Sequence, residues 1–233
     1  MSTSFPASKS HLGAPAHAAT AVFGLIGPSA SSEAGKQIIR RLADGLSAVR
    51  SGSPEIVSTR AATMGWFPDP LSEPPPQAGL AAGFEITHGR QSPSECVNLG
   101  WRSINGAQSL LSIARSGHGA IPLFWAQPSP NLVAFCTSDA VLQRALGRPL
   151  NKKYIRDCIV QEYSLDESLF RGIWPLPANS TLMLAIDSSA SQPITISRTN
   201  GTAPCSLVPN PCARLSGNSS CLRDLDMISW VYG

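Results

Sequence analysis

An α+β fold of short antiparallel strands and a few helices is what this sequence predicts, and three observations carry the prediction. Apolar runs at 110–114 (LLSIA), 121–126 (IPLFWA) and 132–136 (LVAFC) are cut by Gly117-His118-Gly119 and by Gln127-Pro128-Ser129-Pro130. Short β-rich runs joined by turns of that composition form an antiparallel meander. Over 33–50, Ile38, Ile39, Leu42, Leu46 and Val49 recur at helical spacing and make one apolar face. Residues 20–27, TAVFGLIG, form a compact apolar run that stops at Gly27-Pro28, as a buried strand followed by a turn does.

The remaining elements follow in order. Residues 1–19 are Ser, Ala and Pro with two histidines, too polar and too broken to pack, and read as a disordered leader. The helix over 33–50 is capped by Ser31 or Ser32 and ended by Ser51-Gly52-Ser53-Pro54. Residues 54–76 hold Trp66-Phe67 and the proline cluster FPDPLSEPPP, which predicts a surface loop whose exposed aromatics would anchor a partner. A second apolar segment covers 78–86. After the meander, Ser138 or Asp139 caps a helical turn over 140–146, and a further helix at 152–163 carries Tyr154, Ile155, Cys158 and Ile159. The turn WPLPANS at 174–180 leads into a last strand, 181–186. The domain therefore spans 20–187, and 188–233 is a polar, proline-broken tail without the periodicity of a second domain.

Composition excludes several classes. The 18 Lys and Arg are scattered singly or in pairs and the net charge is only +3, which rules against the continuous basic stripe of a nucleic-acid binder. No secretory apolar region and no membrane-spanning run is present, so a cytoplasmic, membrane-free protein is expected. Without an export signal, the triplets at Asn179, Asn200 and Asn218 are not glycosylation sites. Cys96, Cys136 and Cys158 are far apart and form no CxxC pair, while Cys205, Cys212 and Cys221 cluster without a fourth ligand, the nearest histidine being His118. Free thiols, no metal and no cofactor are expected.

Six short motifs fall in a telling order: Ala114-Arg115, Gly119, Pro122-Leu123-Phe124-Trp125, Ser138-Asp139, Ser168-Leu169-Phe170-x-Gly172-Ile173 and Leu176-Pro177. In that order they resemble the second half of the N-terminal glutaminase domain of asparagine synthetases, β-lactam synthetases and lasso-peptide cyclases. The resemblance is strongest over 112–184. It implies an N-terminal-nucleophile hydrolase fold, a four-layer αββα sandwich of two antiparallel sheets. Laying Phe23-Gly24-Leu25 on the family's Met-Cys-Gly-Ile opening puts Thr20 where its nucleophilic cysteine belongs. Val49 to Glu55 echo its His-Arg-Gly-Pro-Asp, and Gly83 to His88 its oxyanion segment, so the resemblance makes Arg50 and Glu85 the substrate-binding candidates.

Glutamine hydrolysis in that family needs a thiol, a free α-amino group as its base and donors for the oxyanion. Thr20 offers a hydroxyl, and only cleavage between Ala19 and Thr20 would free the amine. The SGGxDS loop of the ATP-dependent half is also missing, since Leu215-Ser216-Gly217-Asn218-Ser219-Ser220 lacks its second glycine and its aspartate. The expectation is a non-hydrolysing, glutaminase-like scaffold whose implied partner is a separate ATP-dependent ligase subunit. An amidohydrolase using processed Thr20 is the alternative. A third reading takes the tail from Ser188 as the product of a truncated or frame-shifted gene.

Overall fold

The computed structural model describes residues 16–59, 61–71, 83–88, 96–103, 108–116, 121–160, 168–187 and 195–200. Strand β1 (Ala16–Ile26) organises them, because it serves two sheets in turn. Residues 21–26 pair antiparallel with β3 (Ala62–Pro68), and 23–26 also with β8 (Leu132–Cys136). Residues 16–19 instead run parallel to β4 (Gly83–His88). One sheet therefore has the order β2 (Glu55–Ser58), β3, β1, β8, β7 (Phe124–Ser129), β9 (Trp174–Pro175). The other has the order β1, β4, β5 (Val97–Ser103), β6 (Gln108–Arg115), β10 (Ser180–Asp187), β11 (Thr195–Asn200), antiparallel except at the β1–β4 step.

Side chains alternate across a strand, so each residue of β1 is committed to one of two cores. Val22 and Ile26, with Met64, Trp66, Val133 and Phe135, pack between the sheets against Leu99, Trp101, Leu111, Ile113, Leu182 and Leu184. Phe23 and Leu25, with Ala134 and Cys136, face the other way and lie beneath α1 (Glu33–Ser47) and α2 (Asp139–Leu146). Ile39, Leu42 and Leu46 of α1 and Leu142 of α2 close that second core. The protein is thus an α+β structure with two face-to-face sheets. Helices, first sheet and second sheet give three of the expected four layers among the described residues.

Local chemistry sets the helix ends. Ser32 accepts the Gly35 amide at 3.1 Å and Ser138 the Val141 amide at 3.4 Å, each relieving an orphan donor of the first turn. Gly147, at φ 65°, ends α2 in the left-handed conformation. The third helix, α3 (Lys152–Ile159), is capped by Asn151.

Four expectations need correction. The stretch expected as a loop over 54–76 contains β2 and β3, and Trp66 and Phe67 are fully buried rather than exposed anchors. The prolines that argued against a strand fall at its ends, Pro54 before β2 and Pro68 at the last position of β3, where a missing N–H is tolerated. Gly65 lies directly opposite Phe23 in the ladder, and a Cβ there would come within 2.2 Å of the Phe23 ring, so glycine makes room for it. The leader shortens, because β1 begins at Ala16; residues 1–15 lie outside the described residues. The domain also does not close at 187, since β11 adds Thr195–Asn200 to the β10 edge. The predicted helices are shorter as well: α1 stops at Ser47, leaving Val49 exposed, and α3 stops at Ile159. His118, Cys205, Cys212 and Cys221 lie outside the described residues.

Candidate functional site

The register brings one rim of the sandwich together. Across the second sheet, Ala19, His88, Val97, Arg115 and Ser180 are successive cross-strand partners. On the first sheet the same rim holds Phe67 of β3, Cys136 at the end of β8 and Phe124 at the start of β7. Thr20 lies where the two sheets meet.

Thr20 is the extra residue of a β-bulge: Ala19 faces Pro68 and Ala21 faces Phe67, two steps on β1 against one on β3. A bulge bends its strand and increases the local twist, and here β1 passes from one sheet to the other. The half-buried Thr20 hydroxyl donates to the Phe67 carbonyl at 3.3 Å. Its nitrogen is an ordinary peptide amide, because the strand continues upstream to Ala16.

The other two candidates are placed differently. Arg50 is exposed on the turn between α1 and β2. Glu55, which opens β2, pairs with Trp66, and Trp66 with Val22, so that turn reaches the Thr20 end of the first sheet. Glu85 sits in β4 between Ala16 and Gly100. It is four residues back along β1 from Thr20, about 13 Å at the usual strand rise. The fold therefore brings the Arg50 turn and Thr20 to one rim and sets the Glu85 backbone apart from them.

Arg115 is the rim residue to which the motif reading gave no role. Its Nε donates to the Ile121 carbonyl at 2.8 Å and its Nη1 to the Leu176 carbonyl. Burial lowers the guanidinium pKa below its ordinary value. Nearby, Ser116 Oγ accepts the Cys96 amide at 2.9 Å, the Ser116 amide donates to the Cys96 carbonyl at 2.9 Å, and the Asn179 amide donates to the Ser116 carbonyl at 3.0 Å. Asn179 adopts φ 55°, which an Asx side chain tolerates in a turn. The signal available in the sequence was the cation at the end of an apolar run, just before Gly117-His118-Gly119.

Cys96 and Cys136 are both buried. Burial pushes the Cys136 thiol up to about 12, so it stays protonated near neutral pH and is a poor nucleophile. Among the described side chains, the rim pairs no nucleophile with a base. No described helix is long and apolar enough to cross a membrane. Neither a protein-family profile nor a curated protein matches the chain.

Proposed function

We propose that this chain is a glutaminase-like domain of the N-terminal-nucleophile type that does not hydrolyse glutamine and serves as a scaffold for an ATP-dependent amide-forming ligase carried on a separate subunit. The observation that carries the reading is the position of Thr20 within a continuous strand, its amide in the chain and its hydroxyl on the Phe67 carbonyl. A threonine so held lacks the free amine that would take its proton. The buried, protonated Cys136 supplies no substitute thiol. Support for the fold type comes from the two stacked sheets, the helical layer over one of them, and the placement of Thr20 at the rim.

One observation favours the alternative, an amidohydrolase that uses Thr20 after processing: the bulge sets Thr20 at the rim where such a nucleophile would stand. The two readings separate in one experiment. The purified chain is incubated with glutamine beside a Thr20→Ala variant, ammonia is followed, and the intact mass is recorded. The scaffold reading expects no release above blank and no species starting at Thr20. Release that disappears in the variant, or a chain starting at Thr20, refutes it.

A further inference from the structure

After α2 the chain leaves the sandwich at Gly147 and comes back to it at Gly172. Gly147 (φ 65°) and Gly172 (φ 72°) both stand in the left-handed region, where a side chain is strained and glycine is not. The two ends lie side by side. A Cβ on Gly172 would stand 3.8 Å from the Arg148 guanidinium, which itself donates to the Gln127 carbonyl of β7 at 3.3 Å. Just beyond these ends is a narrow neck. Leu150 and Phe170 are antiparallel bridge partners, the Asn151 amide donates to the Leu169 carbonyl at 2.8 Å, and the Arg171 amide donates to the Pro149 carbonyl at 2.9 Å.

The helix that this neck carries is weakly tied to the body. α3 is the one described helix that buries none of its residues, and none of them joins either core. Among the described residues from 149 to 171, only Phe170 packs against a core, the helix-side one, where it is half-buried. An eight-residue helix with so little tertiary support opens at far lower cost than the global fold. A cleft of about 600 Å³ lies across the two glycines. On one side it is lined by 149–153 and Phe170, and on the other by Gly172, the buried Ile173 and Trp174. Trp174 is fixed to the body, its ring 4.8 Å from that of Trp125 in β7.

From the paired glycines, the narrow neck and the unburied helix, we infer that α3 and its neck form a hinged flap that turns about Gly147 and Gly172, with Phe170 as its latch. In the structure the latch is engaged. Release of Phe170 from the helix-side core lets the flap swing, and because one wall of the cleft moves while Ile173 and Trp174 stay with the body, the swing gates the cleft. The device uses none of the rim residues and stands under either reading of Thr20.

The test is native-state hydrogen exchange on the full chain, read at the amides of 155–160 in α3 and of 39–46 and 132–136 in the body. In the wild type, 155–160 should share one opening constant, about 100-fold or more above that of the body amides. Gly147→Ala and Gly172→Ala put a side chain on left-handed backbone without a clash, the nearest atom to either new Cβ being 3.8 Å away. Each should speed 155–160 about fivefold or more, because the strain is relieved when the hinge turns. Phe170→Ala should speed them about tenfold or more by removing the latch. Gly52→Ala imposes the same kind of strain, at φ 91°, in the turn after α1. It should speed the body amides and leave 155–160 unchanged. A common opening constant for α3 and the body, or a response of 155–160 to Gly52→Ala, would show that α3 opens only with the whole fold. Indifference of 155–160 to all of Gly147→Ala, Gly172→Ala and Phe170→Ala would show that α3 frays alone, without a hinge. Either result overturns the proposal.

Discussion

Replacing Arg115 by methionine removes the clamp that ties the two sheets at the rim while keeping an apolar stem of similar reach. In the wild type the guanidinium at the end of β6, in the second sheet, donates to carbonyls at Ile121 and Leu176, which flank β7 and β9 of the first sheet. A hydrogen bond from a charged donor contributes about 1.5–3 kcal/mol, so two intact bonds would be worth about 3–6. Arg115 is only half-buried, so water partly replaces it at the carbonyls and the expected loss falls to about 2–4 kcal/mol. At roughly 2–4 °C per kcal/mol for a domain of this size, the melting temperature should drop by about 5–15 °C. Urea unfolding, with the slope unchanged, gives the free energy directly. Arg115→Lys, a point charge able to reach one carbonyl at a time, should fall between wild type and Met. A methionine variant within about 0.5 kcal/mol of wild type would show that the clamp is ornamental and that apolar burial alone holds the rim.

Three further outcomes concern the core. Gly65→Ala should destabilise by about 1–3 kcal/mol by chemical denaturation, because the new methyl group meets the Phe23 ring at 2.2 Å in a packed core. Trp66→Ala should cost about 3–5 kcal/mol and leave the rim geometry to the remaining core; a near-neutral result would return Trp66 to the surface. Cys136 gives a pH signature: its thiol titrates at about 12 when folded against 9.0 when free. The folded state then binds the proton that the unfolded state has released, so its stabilising contribution is whole below pH 9.0 and is lost as pH rises toward 12. Wild type should lose about 1.4 kcal/mol per pH unit more than Cys136→Ala in that window, and parallel curves would exclude the effect.

The sequence made legible whatever depends on one local pattern. The apolar stripe expected over 33–50 is helical over 33–47, one of its two cap candidates, Ser32, caps it, the strands at 110–114 and 132–136 appear where periodicity puts them, and of Ser138 and Asp139 it is Ser138 that caps α2. What it concealed depends on partners distant in the chain. Buried on both faces, β3 reads as ATMGWFP, with no polar alternation, and its flanking prolines looked like breakers because nothing local shows that they stand at strand ends. In β11, TISRTN offers one apolar residue in six, and only the β10 edge makes it a strand. At the rim, the role of Arg115 lies in two carbonyls whose proximity only the fold creates.

The bulge at Thr20 also bears on the choice between the two proposed readings. Residues 16–19 form the single ladder by which the two sheets connect among the described residues. A cut before Thr20, which would free an amine for catalysis, removes those residues and leaves β4 an unpaired edge. Roughly two to four ladder bonds at about 1 kcal/mol each go with it. The same cut removes the Ala19–Pro68 flank of the bulge and leaves Thr20 held from its other side, by the Ala21–Phe67 pairing and its own bond to the Phe67 carbonyl. A catalytic threonine must be held within about half an ångström of its working position. In this chain processing would take away one flank of the bulge that places Thr20, together with the ladder that joins the two sheets, and that weighs for the scaffold reading.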